Sequence, residues 1–162
     1  MYPPTPDHHP TWPRAVTVYG TLRSTEGNFS LVRDLSPLVS RADVPGYRLV
    51  GYGRGFPFAI PDPEATLVGE VLSFTPETWL EAIRRMDSLE GYPHFYTRRL
   101  VTVSTPVGAQ VTWIYTPAHP DGYSDLPDVP GGDWVEGGGS DLPAIARWQS
   151  ATRALLAEVE PW

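Results

Sequence analysis

The sequence predicts an α+β domain: a small mixed, mostly antiparallel β-barrel with one central helix and one C-terminal helix. Three observations lead there. Several β-rich runs lie between Gly and Pro turns, and two of them are joined closely enough to pair antiparallel. One uninterrupted segment, Thr75 to Gly91, has helical apolar spacing and signals at both ends. A second helical stripe follows a glycine spacer near the C-terminus. At 162 residues the chain is one domain by length, large enough to bury a core.

Residues 1–13 hold five prolines and no periodic pattern, and read as a disordered leader. Residues 14–140 make the expected domain. Its first strand is the β-rich run Ala15 to Tyr19, stopped by Gly20. Phe29 to Leu38 is weakly helical at best. Tyr47 to Tyr52 and Phe56 to Ile60 are expected as short strand fragments broken by Gly51, Gly53, Gly55 and Pro57. Thr66 to Phe74 alternates as a strand does. Beyond the helix, Phe95 to Ser104 and Ala109 to Thr116 flank a turn around Pro106 and Gly108. Residues 117–140 are irregular and rich in Pro, Gly and Asp. In 141–162, Ile145, Trp148, Thr152, Leu155, Leu156 and Val159 repeat at helical spacing. That stripe needs a surface, either the barrel or a second copy of the chain in a homodimer.

The central helix carries the most informative residue. Thr75 is an N-cap type, Pro76 suits the first turn, Gly91 terminates, and Pro93 prevents a restart. At roughly 100° per residue, Trp79, Ile83, Met86 and Glu90 share one narrow stripe. Glu77, Glu81, Arg84, Arg85 and Asp87 are expected to face outward. A carboxylate on the apolar stripe is a structural ion pair (Arg98 or Arg99 being the nearest cations), a frayed end, or a general base. Burial and the negative end of the helix would both raise its pKa.

Composition narrows the chemistry. The formal net charge is −7 and the pI about 4.9, which argues against a sequence-independent hold on nucleic acid or an anionic membrane. All 12 Lys-plus-Arg residues are Arg, so no Schiff-base or P-loop lysine exists. Without cysteine, disulfides, thiolate catalysis and thiolate metal sites are excluded. No run approaches the ~18 to 20 apolar residues of a membrane span, and the N-terminus lacks a signal-peptide pattern. These points lead us to expect a soluble, cytoplasmic protein.

Other candidates are weaker. Tyr19-Gly20-Thr21-Leu22-Arg23 places successive amides at a tight turn after a strand, the makings of an anion-binding nest. It lacks the spacing of a phosphate or dinucleotide loop. His8, His9, His94 and His119 have no ligand spacing, so neither a metal nor another cofactor is expected. Asp62 with Glu64, and Asp125, Asp128 and Asp133, read as turn formers. Tyr115 and Trp134 are core residues by default.

VYGTLR (Val18 to Arg23), GFPFAIPDP (Gly55 to Pro63), VGEVLSF (Val68 to Phe74), MDSLEGYPHFYTRRLVTV (Met86 to Val103), VTWIYT (Val111 to Thr116) and GGDW (Gly131 to Trp134) occur in this order. Together they resemble the gamma-glutamylcyclotransferase-like family, within it the plant-type and gamma-glutamylamine cyclotransferase-like branch. The likeness runs from about Ala15 to Trp134. It implies a small barrel with a cavity at one end. It also implies substrate binding at Tyr19, Gly20, Thr21 and Leu22, with Tyr96 in the pocket and Glu90 as the acid/base. The partner so implied is a small gamma-glutamyl compound, cyclised to 5-oxoproline without metal or cofactor. The chain has YGTLR where the glutathione-degrading branch has a YGSL-type loop. The alternative is a binding module on the same fold that turns nothing over, and a third is removal of a gamma-glutamyl protecting group from a larger molecule.

Overall fold

The computed structural model describes residues 12–52 and 56–137. Most of the leader (1–11) and the helix expected at 141–162 lie outside the described residues. Five strands close into one barrel, in the spatial order β1-β3-β2-β4-β5. They are β1 (Ala15–Val18), β2 (Leu38–Val50), β3 (Phe58–Ser73), β4 (Tyr96–Thr105) and β5 (Gly108–Pro117), with the single α-helix α1 (Pro76–Glu90) between β3 and β4. Every strand pair is antiparallel except β1 with β5, where Val16 faces Trp113 and Thr17 faces Ile114. The barrel is therefore mixed, and the first strand meets the last.

Alternation along β1 separates two cores. Ala15 and Tyr19 join Ala42, Val44, Leu67, Val71, Val103, Ile114 and Trp134 in a cluster that contains no helix residue, the barrel interior. Val16 and Val18 face the other way, against Leu72, Phe74, Trp79, Ile83 and Met86. The stripe on α1 thus covers the outside of the barrel wall. All four residues of β1 are buried, as a strand covered on both faces requires.

The helix has the expected bounds. Thr75 takes the extended N-cap conformation, but its side chain makes no capping bond and lies 3.1 Å from the Thr78 hydroxyl. Gly91 ends the helix at φ 65°, the left-handed conformation that favours glycine. The chain then turns through a cis Tyr92–Pro93 peptide into β4.

The region before the helix differs from expectation. The fragments 47–52 and 56–60 are the ends of two long strands, β2 and β3, paired along most of their length. Their register shifts between Pro45 and Tyr47, where Pro45 faces Thr66 and Tyr47 faces Pro61. The intervening Asp62 to Ala65 bulges out, and the Asp62 carboxylate accepts the Glu64 amide at 3.0 Å. Pro45, Gly46, Pro61 and Pro63 therefore sit where the ladder is interrupted, whereas Gly51 and Pro57 lie beyond the strand ends, between β2 and β3. Phe29 to Leu38 resolves into two short 3-10 turns, Gly27–Leu31 and Arg33–Leu35, before β2 starts. Among the described residues no helix is long and apolar enough to cross a membrane.

Candidate active site

The turn after β1 is fixed from three sides. The Arg23 amide donates to the Gly20 carbonyl at 3.0 Å, closing the turn, and the Asn28 amide donates to the Thr21 carbonyl at 3.0 Å. From β3, Glu70 accepts the Ser24 amide at 2.6 Å and the Ser24 hydroxyl at 3.0 Å. The Arg23 guanidinium donates to Asp133 at 2.7 Å, so the GGDW segment is tied to the YGTLR turn. Asp133 also accepts the amides of Val135 and Glu136. Burial pushes its pKa up, but those amides and Arg23 outweigh burial and hold it below the usual value.

Held this way, the amides of Gly20, Thr21 and Leu22 donate to no acceptor among the described residues. Three successive donors left without protein partners are suited to an anion or an oxyanion. Leu22 contributes only its amide, because its side chain packs with Phe29 and Val32. The Cα of Gly20 is covered by the protein itself. The Pro57 ring covers it, and a Cβ there would lie 2.7 Å from Pro57 Cγ. Glycine is needed for that packing contact.

Tyr19 is buried and donates its hydroxyl to the Tyr115 carbonyl at 2.7 Å. Burial raises its pKa well above the usual value, and the charge of Glu90 adds to this. Tyr96 is buried with its hydroxyl 3.4 Å from the Pro57 carbonyl. Its pKa is raised by burial, then by Tyr19 and by Glu90. Tyr19, Tyr96 and Glu90, from three separate elements, therefore feel one another's fields. The Tyr19 side chain, which opens the YGTLR segment, thus lies within electrostatic reach of the carboxyl at the helix end.

Glu90 is half-buried by area, yet burial of its carboxyl is the main cause that raises its pKa to about 8, with the charge of Asp87 second. No hydrogen bond or ion pair reaches that carboxyl among the described residues. Arg98, which the sequence offered as its partner, pairs with Asp87 instead, Nε to Oδ1 at 2.8 Å and Nη2 to Oδ2 at 2.9 Å. Arg99 is exposed.

Asp87 corrects the sequence reading. Expected on the outward face, it is 8% exposed and sits in a buried network. The Tyr115 hydroxyl donates to its Oδ1 at 2.6 Å. The Arg98 guanidinium lies 4.2 Å from the Tyr92 ring centroid and 5.3 Å from that of Trp113. Helical angle alone assigns Asp87 to the outward face. The inward-pointing Arg98 of β4, two residues after buried Tyr96, draws it in. That period of two was the available signal.

Trp134 is core, and His94 and His119 are exposed. Among the described residues no group of three or more His, Cys, Asp or Glu converges for a metal.

The family described as gamma-glutamyl cyclotransferase, AIG2-like, matches residues 16–136. Among curated proteins the sequence finds no match. Several solved structures share the fold. An AIG2-like protein of Mus musculus is 24% identical, with 70% of this chain and 84% of that one covered and a TM-score of 0.57. YkqA of Bacillus subtilis is 25% identical with a TM-score of 0.55; the match covers 76% of this chain but 40% of YkqA. A gamma-glutamyl cyclotransferase is 16% identical, with 91% and 88% covered and a TM-score of 0.51.

Proposed function

The chain belongs to the gamma-glutamyl cyclotransferase, AIG2-like family, and on that premise we propose that it converts a gamma-glutamyl amine or gamma-glutamyl amino acid to 5-oxoproline and a free amine, with Glu90 as general acid/base. One observation carries the reading. A carboxyl of raised proton affinity, with no partner among the described residues, acts on the buried Tyr19 side chain, and the chain runs on from Tyr19 into the turn whose amides are undonated.

The chemistry needs such a group. The substrate carries its own nucleophile, an α-amine that is protonated and inert near neutrality. Glu90 as carboxylate takes one proton from the ammonium, and the freed amine attacks the γ-carbonyl carbon to close a five-membered ring. In this reading the Gly20 to Leu22 amides stabilise the oxyanion or grip the α-carboxylate. Glu90 then gives its proton to the leaving nitrogen and the amide C–N bond breaks. The ring nitrogen passes a second proton by the same route. Of the three ammonium protons, one stays on the lactam and two leave with the amine, so Glu90 ends as it began.

The test is 5-oxoproline release from a panel of gamma-glutamyl amines and dipeptides. Glu90→Gln should lower kcat/KM by about 10²-fold or more on the best substrate. Undiminished activity in that variant would remove Glu90 as the base.

A further inference from the structure

Arg98 and Glu90 present a problem that the fold solves. Both belong to elements that meet at the end of α1, and an arginine free to reach Glu90 would hold it permanently as an ion-paired carboxylate. The Arg98 side chain is instead occupied on its edge and on its ring-facing surface. Two of its nitrogens grip Asp87 through the paired geometry that a guanidinium and a carboxylate favour. Tyr92 and Trp113 each lie within cation–π range of it. Tyr115 donates a further bond to the same Asp87 oxygen that Nε reaches.

We propose that Asp87 is a positioning residue for the reaction: clamped by Arg98 and Tyr115 one helical turn before Glu90, it sequesters the arginine and sets its own negative charge beside the acid/base. The inference rests on the proposed role of Glu90. Asp87 touches no reacting atom. It acts on how readily Glu90 keeps a proton, in a direction opposite to the cation it neutralises. The groups facing Glu90 are Asp87 from its own helix, Tyr19 after β1, Tyr96 on β4 and Tyr115 on β5. Arg98 and Tyr92 face Asp87. The three tyrosines have raised pKa values and stay neutral between pH 5 and 9, so the Asp87–Arg98 ion pair is the source of fixed charge that faces Glu90.

The experiment is a carboxyl-carbon NMR titration of Glu90 in the full chain without substrate, assigned with Glu90→Gln, in the native protein, Asp87→Asn and Arg98→Met. The native midpoint should lie near 8. Asp87→Asn removes a negative charge and leaves the cation uncompensated, so the midpoint should fall by about one unit or more. Arg98→Met removes the cation and must not lower it. General loosening of the site would hydrate Glu90 and lower the midpoint in both variants, so the contrast separates positioning from simple damage. If Asp87→Asn does not fold, Asp87→Glu retains the charge and must retain the midpoint. An unmoved midpoint in Asp87→Asn, or a fall in Arg98→Met or Asp87→Glu, overturns the proposal. The two readings fail separately. If the titrations behave as stated while no gamma-glutamyl compound is turned over, the charge device stands and the catalytic reading falls. If Glu90→Gln abolishes release and the titrations do not move, the reverse holds.

Discussion

Arg23 and Asp133, 110 residues apart in sequence, are joined by a 2.7 Å hydrogen bond. Each is more than nine-tenths buried. The bond ties the turn that follows the first strand to the segment that closes the domain, and Glu70 supports the same turn from β3.

Asp133→Ala should therefore leave a buried guanidinium without its main partner. The expected loss is about 3–5 kcal/mol of stability, measured by urea unfolding. Arg23→Ala should cost a similar amount. The double variant should cost less than the sum, because the second change removes the orphaned charge. Strict additivity would show that the pair is not coupled.

Stability should also respond to acid through Asp133. Its pKa is depressed in the folded state, so its contribution is fully present above the unfolded value. It is lost as pH falls through the folded one. Asp133→Asn should flatten the decline in unfolding free energy on the acid side of the usual carboxyl range.

Glu90 works in the opposite sense. Its folded pKa of about 8 lies above the usual 4.5. The folded state binds its proton more tightly, so this contribution is present below the unfolded value and is lost as pH rises toward 8. Between those limits the loss runs at about 1.4 kcal/mol per pH unit at most. Glu90→Gln should be less sensitive to pH over this range, and more stable than the native chain at pH 8. Chemical denaturation at pH 5 and pH 8 checks this; a variant that is less stable at pH 8 contradicts the burial of the carboxyl.

The same value should set the pH dependence of the proposed turnover. In the proposed role of base, Glu90 must be ionised in the free protein, so kcat/KM should rise with pH to a midpoint near 8. A midpoint near 4.5, the value of a solvated glutamate, would contradict the burial that raises the Glu90 pKa.

Gly20→Ala tests the contact beneath the turn. The added methyl would meet the Pro57 ring, and the Pro57 carbonyl is the acceptor for Tyr96. A proline ring cannot swing aside, so the cost should be about 1–3 kcal/mol with a raised KM. Pro57→Ala in the same chain should restore part of both. Failure of that rescue would place the effect elsewhere.

Elements with strong local signals were legible in the sequence: α1 through its stripe and Gly91, and the β4–β5 hairpin through alternation and a short turn. The first half of β2 was not. Leu38–Val50 exposes Leu38 and Val39 and buries Ala42 and Val44; its ladder comes from β3, a partner that local pattern does not reveal. In the site, Glu90 stood out because a carboxylate on an apolar stripe violates the pattern. Asp87 did not, because its partner Arg98 arrives from the next strand. Pro57 looked like a strand breaker, and only the folded chain shows it lying against Gly20.

The parallel pairing of β1 with β5 orders events in time. The pair that shuts the barrel cannot form until Trp113 and Ile114 have been synthesised. Until then β1 has a partner on one side only, and the Tyr19 hydroxyl lacks the Tyr115 carbonyl that holds it. Long-range closure of this kind is slow compared with forming a helix or hairpin. Nascent chains that stop short of β5 would carry both halves of the site and be unable to lock them together, so activity would arise only when the last strand docks.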